Sequence, residues 1–191
     1  MYGWAVFFRG INVGRTSRVG MADVVTALCT AGFDSPTAYA QSGNVVGGYA
    51  SSTASVVAGV ASRALSSFAR FTTTAIALDA TSLENACTAL TQHAPDAVDA
   101  NFHAWFLASD PAQTARESLR LLCHPTEAVE VQQRIILVHA PNGIGRSKVA
   151  GAIEQVTGSL ATARNRRTIH AISKLLAHYN ATLRNQSVGS D

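Results

Sequence analysis

The chain predicts an α+β fold in which one βαββαβ pattern is followed by a second. Three observations carry that expectation. Short apolar runs without helical spacing alternate with segments whose apolar residues recur every three to four positions. Turn or capping chemistry separates them at nearly every junction. The strand–helix order also completes once by about residue 80 and then starts again near residue 99.

Residues 4–8 (WAVFF) lack polar alternation, as a central strand buried on both faces would. A glycine-bearing basic loop follows. Met21, Val24, Val25, Leu28 and Cys29 then recur at helical spacing, with Gly32 as the stop. Residues 36–41 read as a strand, Ser42-Gly43-Asn44 as a turn, and Val45-Val46 as its returning partner. Val56, Val57, Val60, Ala64, Leu65 and Phe68 define a second amphipathic helix, and residues 74–78 a closing strand. This completes the ferredoxin-like plan in residues 1–80.

Thr81-Ser82-Leu83-Glu84 has the form of a capping box that opens a linking helix, ending before Pro95 within the segment 81–98. Residues 101–107 predict the next strand, and Asp110-Pro111 a helix start before Ala115, Leu119 and Leu122. Residues 127–132 and 134–139 read as a hairpin. A helix from about Lys148 to Gly158, a short strand at 160–163 and a last helix through Tyr179 complete a second half, residues 99–183. Residues 184–191 read as a polar tail.

Apolar residues make up 47% and charged residues only 14%, so a small, neutral-polar surface is expected. A net charge of +3 permits an anionic partner but falls short of a nucleic-acid footprint. Cys29, Cys87 and Cys123 are widely spaced, each on an expected helix, and no CxxC pair exists. They predict buried free thiols in a reducing compartment. The apolar N-terminal run is too short for a signal or membrane segment, so a cytoplasmic protein without membrane association is expected.

Four stretches carry candidate chemistry. The loop after the first strand holds Arg9, Asn12, Arg15 and Arg18, and the turn at 41–44 holds Gln41, Ser42 and Asn44. The loop before the helix at 148 holds Arg146, Ser147 and Lys148, and residues 162–167 hold Arg164, Asn165, Arg166 and Arg167. A glycine-bearing loop leading into a helix can turn backbone amides toward an anion, and arginine or lysine adds charge-assisted hydrogen bonds. The alternative is that the glycines shape turns and the basic residues lie in water. Arg164, Arg166 and Arg167 crowd the start of a helix, where their charge opposes its dipole, so an anion or carboxylates are expected nearby. Neither loop is a Walker A or dinucleotide fingerprint. No metal-ligand spacing, G-x-S-x-G motif or acid/base pair is present, and no cofactor is expected.

Residues 14–19 (GRTSRV) resemble 145–149 (GRSKV) with one insertion, and Thr37-Ala38-Tyr39 follows the first as Thr162-Ala163-Arg164 follows the second. Duplication and independent loop chemistry explain this equally well. Taken as equivalents, the two basic loops would hold comparable positions in the two halves.

The stretches FFRGINVG at 7–14, YAQSGNVV at 39–46, GIGRSK at 143–148 and TARN at 162–165 together resemble the bacterial family catalogued as domain of unknown function 1697. The resemblance implies an α+β fold of two ferredoxin-like halves and no established activity. Where the family pattern continues Gly-Gly-Lys-Asn and then Val-Pro-Met, this chain has Arg15-Thr16-Ser17 and Val19-Gly20-Met21. Arg166 and Arg167 stand where the family pattern has a tryptophan and an asparagine, a departure that leaves room for a ligand other than the family's and for a specialised paralogue. The leading functional expectation is binding of a phosphate- or carboxylate-bearing small molecule in a basic cleft between the halves. A metal-independent enzyme using that cleft, for transfer, cyclisation or hydrolysis, is the alternative. An RNA-binding ferredoxin-like module is the third, and nucleic acid is the least expected partner.

Overall fold

A computed structural model describes residues 1–14, 17–69, 71–93 and 99–188. Arg15 and Thr16 of the first basic loop, Pro95 and residues 189–191 lie outside the described residues. The chain is a mixed α+β protein with two four-stranded sheets, in the orders β2-β3-β1-β4 and β6-β7-β5-β8, every pairing antiparallel. The first sheet comprises β1 (Tyr2–Phe8), β2 (Asp34–Tyr39), β3 (Asn44–Tyr49) and β4 (Ala75–Leu78), with α1 (Met21–Thr30) after β1 and α2 (Ala54–Phe68) after β3. The second comprises β5 (Phe102–Leu107), β6 (Ala128–Gln132), β7 (Ile135–His139) and β8 (Ala161–Asn165). Here α4 (Ala115–Leu121) follows β5 and α5 (Lys148–Thr157) follows β7.

The chain divides into two compact units, residues 1–84 with 171–191, and residues 85–170. Two helices, α3 (Ala80–His93) and α6 (Arg166–Val188), run from one unit into the other. The expected division kept the last helix whole with the second half and ended it near 183. Instead its residues from 171 belong to the first unit, and helical backbone continues to Val188, past the expected start of the polar tail.

In the first unit Trp4, Val6 and Phe8 face α1 and α2, where Val24, Leu28, Val57, Ala61 and Leu65 complete one apolar core. The α1 stop is a Schellman closure. Phe33 N–H donates to Leu28 O, Gly32 N–H donates to Cys29 O, and Gly32 sits at φ +89°, which a glycine reaches without Cβ strain. The opposite sheet face meets α6 through a window without side chains. Gly3 pairs with Gly48 in register, and a Cβ on either would collide with Asn180 or Tyr179 of α6. The Tyr179 hydroxyl then donates to Asp34 Oδ2 at 2.6 Å. Burial and the adjacent Asp34 carboxylate push the phenol well above its ordinary pKa, so it stays a donor.

In the second unit Leu107 of β5, Val131, Ile136 and Val138 of the sheet, Leu119 of α4 and Val149 and Ile153 of α5 form the corresponding core. Several local expectations are corrected. The α3 cap is Asp79, whose Oδ1 accepts from Ser82 N at 2.7 Å, so the helix begins before Thr81. Asp110-Pro111 does not start α4, whose N-cap is Thr114 without a side-chain cap bond. Cys29 is exposed on α1, and Cys87 and Cys123 are partly buried, so none is the fully buried thiol expected. Cys123 also lies beyond the end of α4. Among the described residues no helix is long and apolar enough to cross a membrane.

Candidate functional site

The topology sorts the candidate residues into two groups. The loop carrying Arg9, Asn12 and Arg18 joins the first strand of its sheet to a helix, whereas the loop carrying Arg146 joins the third strand of its sheet to a helix. Consecutive sheet neighbours run antiparallel, so these junctions sit at opposite ends of their respective sheets. The true counterpart of residues 9–20 is 108–114, and that of 140–147 is 50–53. The GRTSRV/GRSKV similarity therefore does not mark equivalent positions. The repeated element order, strand for strand, is the internal correspondence.

In the first unit the loop and the hairpin tip form one braced structure. Asn12, at φ 57°, donates through Nδ2 to Val19 O at 3.0 Å and Gln41 O at 2.7 Å, while its Oδ1 accepts from Val19 N at 2.9 Å. Ile11 is buried beneath Gly43, where a Cβ would come within 2.7 Å of it. Phe8 N–H donates to Gly43 O at 2.8 Å, extending the sheet into the tip. Asn44 is fully buried and donates to Tyr39 O and Ser42 Oγ. Arg9 is held at its backbone by Thr74 O and the Thr73 hydroxyl. Asn12 thus spends its polar atoms on the backbone that shapes the loop, and the Asn44 amide braces the hairpin tip. Arg18, Gln41 and Ser42 are exposed at its surface.

In the second unit Ser147, Arg164 and Asn165 are likewise committed internally. Ser147 Oγ caps α5 by accepting from Ala150 N, and Asn165 Oδ1 caps α6 by accepting from Thr168 N at 2.9 Å. Arg164, only 7% exposed on β8, donates to Thr162 Oγ1 and Ala163 O, both at 2.7 Å. Burial pulls its guanidinium down to about 10. The crowding of arginines has a carboxylate answer, since Arg166 Nε pairs with Asp99 Oδ1 at 2.7 Å. Arg167 is exposed.

Arg146 and Lys148 remain exposed, and they share a cleft. Ala128 opens β6 opposite His139, the end of β7, so residues 122–127 and 140–147 meet at one end of this sheet. The cleft between them has a volume of about 480 Å³ and is lined by Leu121, Leu122, Cys123, His124, Asn142, Gly143, Arg146 and Lys148, among others. Thr126 Oγ1 ties the two walls together, accepting from Asn142 Nδ2 at 3.3 Å and lying 2.9 Å from His124 Nδ1. Thr126 N–H also donates to His124 Nδ1, and with Nδ1 accepting, the ring proton sits on Nε2 as a further donor. The Cys123 thiol is pushed up by burial and by Glu127, so it is held protonated rather than as a nucleophilic thiolate. No residue of the 121–127 wall is a candidate site residue from sequence; Leu122 and Cys123 enter there only as an expected helix residue and an expected buried thiol. His124-Pro125-Thr126 and Asn142-Gly143 are turn signals, but only the β6–β7 register brings them together. Among the described residues no group of three His, Cys, Asp or Glu side chains could hold a metal ion.

His103 stands apart from both groups on β5, with its Nδ1 buried and without a hydrogen-bond partner. Burial lowers its pKa, so the folded state holds it neutral where the unfolded chain would take up a proton. A depressed folded pKa gives stability that is complete above the unfolded value, near 6.5, and is lost as pH falls toward the folded one. Denaturant titrations at pH 5 and pH 7.5 are expected to show this acid loss in the native chain and a smaller loss in His103→Phe.

The family model described as "Protein of unknown function (DUF1697)" matches residues 1–136, and the chain belongs to that family. A solved structure, that of the conserved bacterial protein SP0830 from Streptococcus pneumoniae, is similar to this chain with a TM-score of 0.70 at 20% identity. The alignment covers 93% of this chain and 99% of that one, and at this identity it speaks for the fold alone. No curated protein matches the chain.

Proposed function

We propose that this protein binds a phosphate- or carboxylate-bearing small molecule, and that the cleft between residues 121–127 and 142–148 is where it does so. The observation that carries the reading is that Arg146 and Lys148, both exposed, line one cleft with the Nε2–H donor of His124. Two cations and a ring N–H donor on opposing walls suit a multivalent oxyanion, which accepts several hydrogen bonds at once. The cleft volume lies in the range of ordinary small-molecule sites.

Each half is read as ferredoxin-like, since βαββαβ order with the closing strand beside the first is the sheet order of both units. On that frame Phe7, Phe8 and Phe106 are fully buried, which removes them from base stacking and disfavours an RNA platform. The enzyme reading has less support than simple binding, because Cys123 is held protonated and, among the described residues, no carboxylate bonds the His124 ring. A bacterial, cytoplasmic setting accords with the free thiols and is part of the proposal.

A thermal-shift titration with pyrophosphate and citrate, at constant ionic strength against chloride, tests the reading. Saturable stabilisation is expected, approaching about 2.7 kcal/mol at 100 times the dissociation constant. Arg146→Ala/Lys148→Ala should weaken the response at least tenfold. A shift of equal size in that variant would refute the assignment.

A further inference from the structure

Beyond the His124 donor, the basic cleft's wall at residues 121–127 carries apolar surface that an oxyanion does not use. Leu121, the last residue of α4, is 82% exposed and lines this same cleft, with Leu122 and Pro125 beside it. The helix already buries Ala115 and Leu119 on its core face, so Leu121 points away from the unit's own core. Among the described residues Leu121 is the most exposed large apolar side chain, and it lines the cleft together with Arg146 and Lys148. An inorganic phosphate, with five heavy atoms, would fill only a small part of the roughly 480 Å³ available. Leu121, Leu122 and Pro125 give the cleft apolar lining, and removing such surface from water stabilises a complex in proportion to the area covered.

We infer that the ligand is amphiphilic: a phosphate or carboxylate head held by Arg146 and Lys148, carrying an unbranched apolar arm that lies over Leu121. This rests on the anion-binding reading above and narrows its ligand class. The two walls divide the work, since charge fixes the head while the arm supplies affinity that grows with its length. Cys123, protonated and partly buried on the same wall, adds to the apolar side.

The test is a calorimetric titration with inorganic, methyl, butyl and hexyl phosphate, all below their micellar concentrations. Affinity is expected to rise at least tenfold from methyl to hexyl phosphate, with one site per chain. Leu121→Ser should flatten the series, returning the hexyl member to the methyl value. If all four phosphates bind alike and Arg146→Ala/Lys148→Ala weakens them, the amphiphile inference fails and the anion site stands. A chain-length gain that Leu121→Ser leaves intact places the arm elsewhere and also overturns the inference. If no member binds, the anion reading itself falls and takes the inference with it.

Discussion

Gly48→Val is expected to be the most damaging single substitution in the first unit. A Cβ at Gly48 meets the Tyr179 hydroxyl and ring, and the facing Gly3 is itself closed off by Asn180 and Tyr179, so an added side chain has no room on this face. Overpacking of this kind costs about 1–3 kcal/mol, and displacing Tyr179 forfeits its bond to Asp34 as well. A loss of about 3 kcal/mol in denaturant unfolding is expected, with the midpoint rather than the slope changing. Gly48→Ala should show a smaller loss, and adding Tyr179→Ala should recover part of it, because the two residues share one contact. Gly151→Ala is the contrasting control. It sits in α5 with open space around it, and replacing glycine in a helix interior should stabilise by about 0.5–1 kcal/mol.

Asn12→Ala is the second large effect, and it separates scaffold from ligand contact. The substitution removes hydrogen bonds to Val19 O and Gln41 O and one from Val19 N. It also places alanine at a φ of 57°, which asparagine tolerates better. At about 1 kcal/mol per bond, with the backbone preference added, a loss of about 3 kcal/mol is expected. Pyrophosphate affinity measured on the folded variant should stay within twofold of the native value. A tenfold loss of affinity with native stability would return Asn12 to the binding site.

The element order was legible because apolar periodicity records which face each segment buries. Trp4, Val6 and Phe8 turn toward α1 and α2, while Leu119, Val149 and Ile153 supply helix faces to the second core. The family resemblance was legible as well, and of its four motifs those at 7–14 and 39–46 lie within the matched residues 1–136. The roles of several motif residues were not. A capping asparagine or serine and a ligand-binding one present the same side chain in the same loop composition. Ser147 and Asn165 could have been read as caps from their place just before a helix. Asn12 offered no such signal, because its acceptor Gln41 O lies across a fold that brings residue 12 beside residue 41, whereas Asn44 bonds locally to Tyr39 O and Ser42 Oγ. The apparent equivalence of the two basic loops failed for a related reason. The pattern of strand, loop and helix is the same after the first and third strands of a βαββαβ unit, yet these strands run in opposite directions. Leu121 and His124 stayed hidden because only the pairing of Ala128 with His139 joins their turn to the Arg146 loop.

The central claim is the location of the anion site, and backbone amide chemical shifts followed during a pyrophosphate titration test it most directly. Saturable shifts are predicted at residues 121–127 and 142–148, with residues 9–14 and 41–44 moving little. Saturable shifts confined to the latter segments, or none that saturate anywhere, would contradict the account.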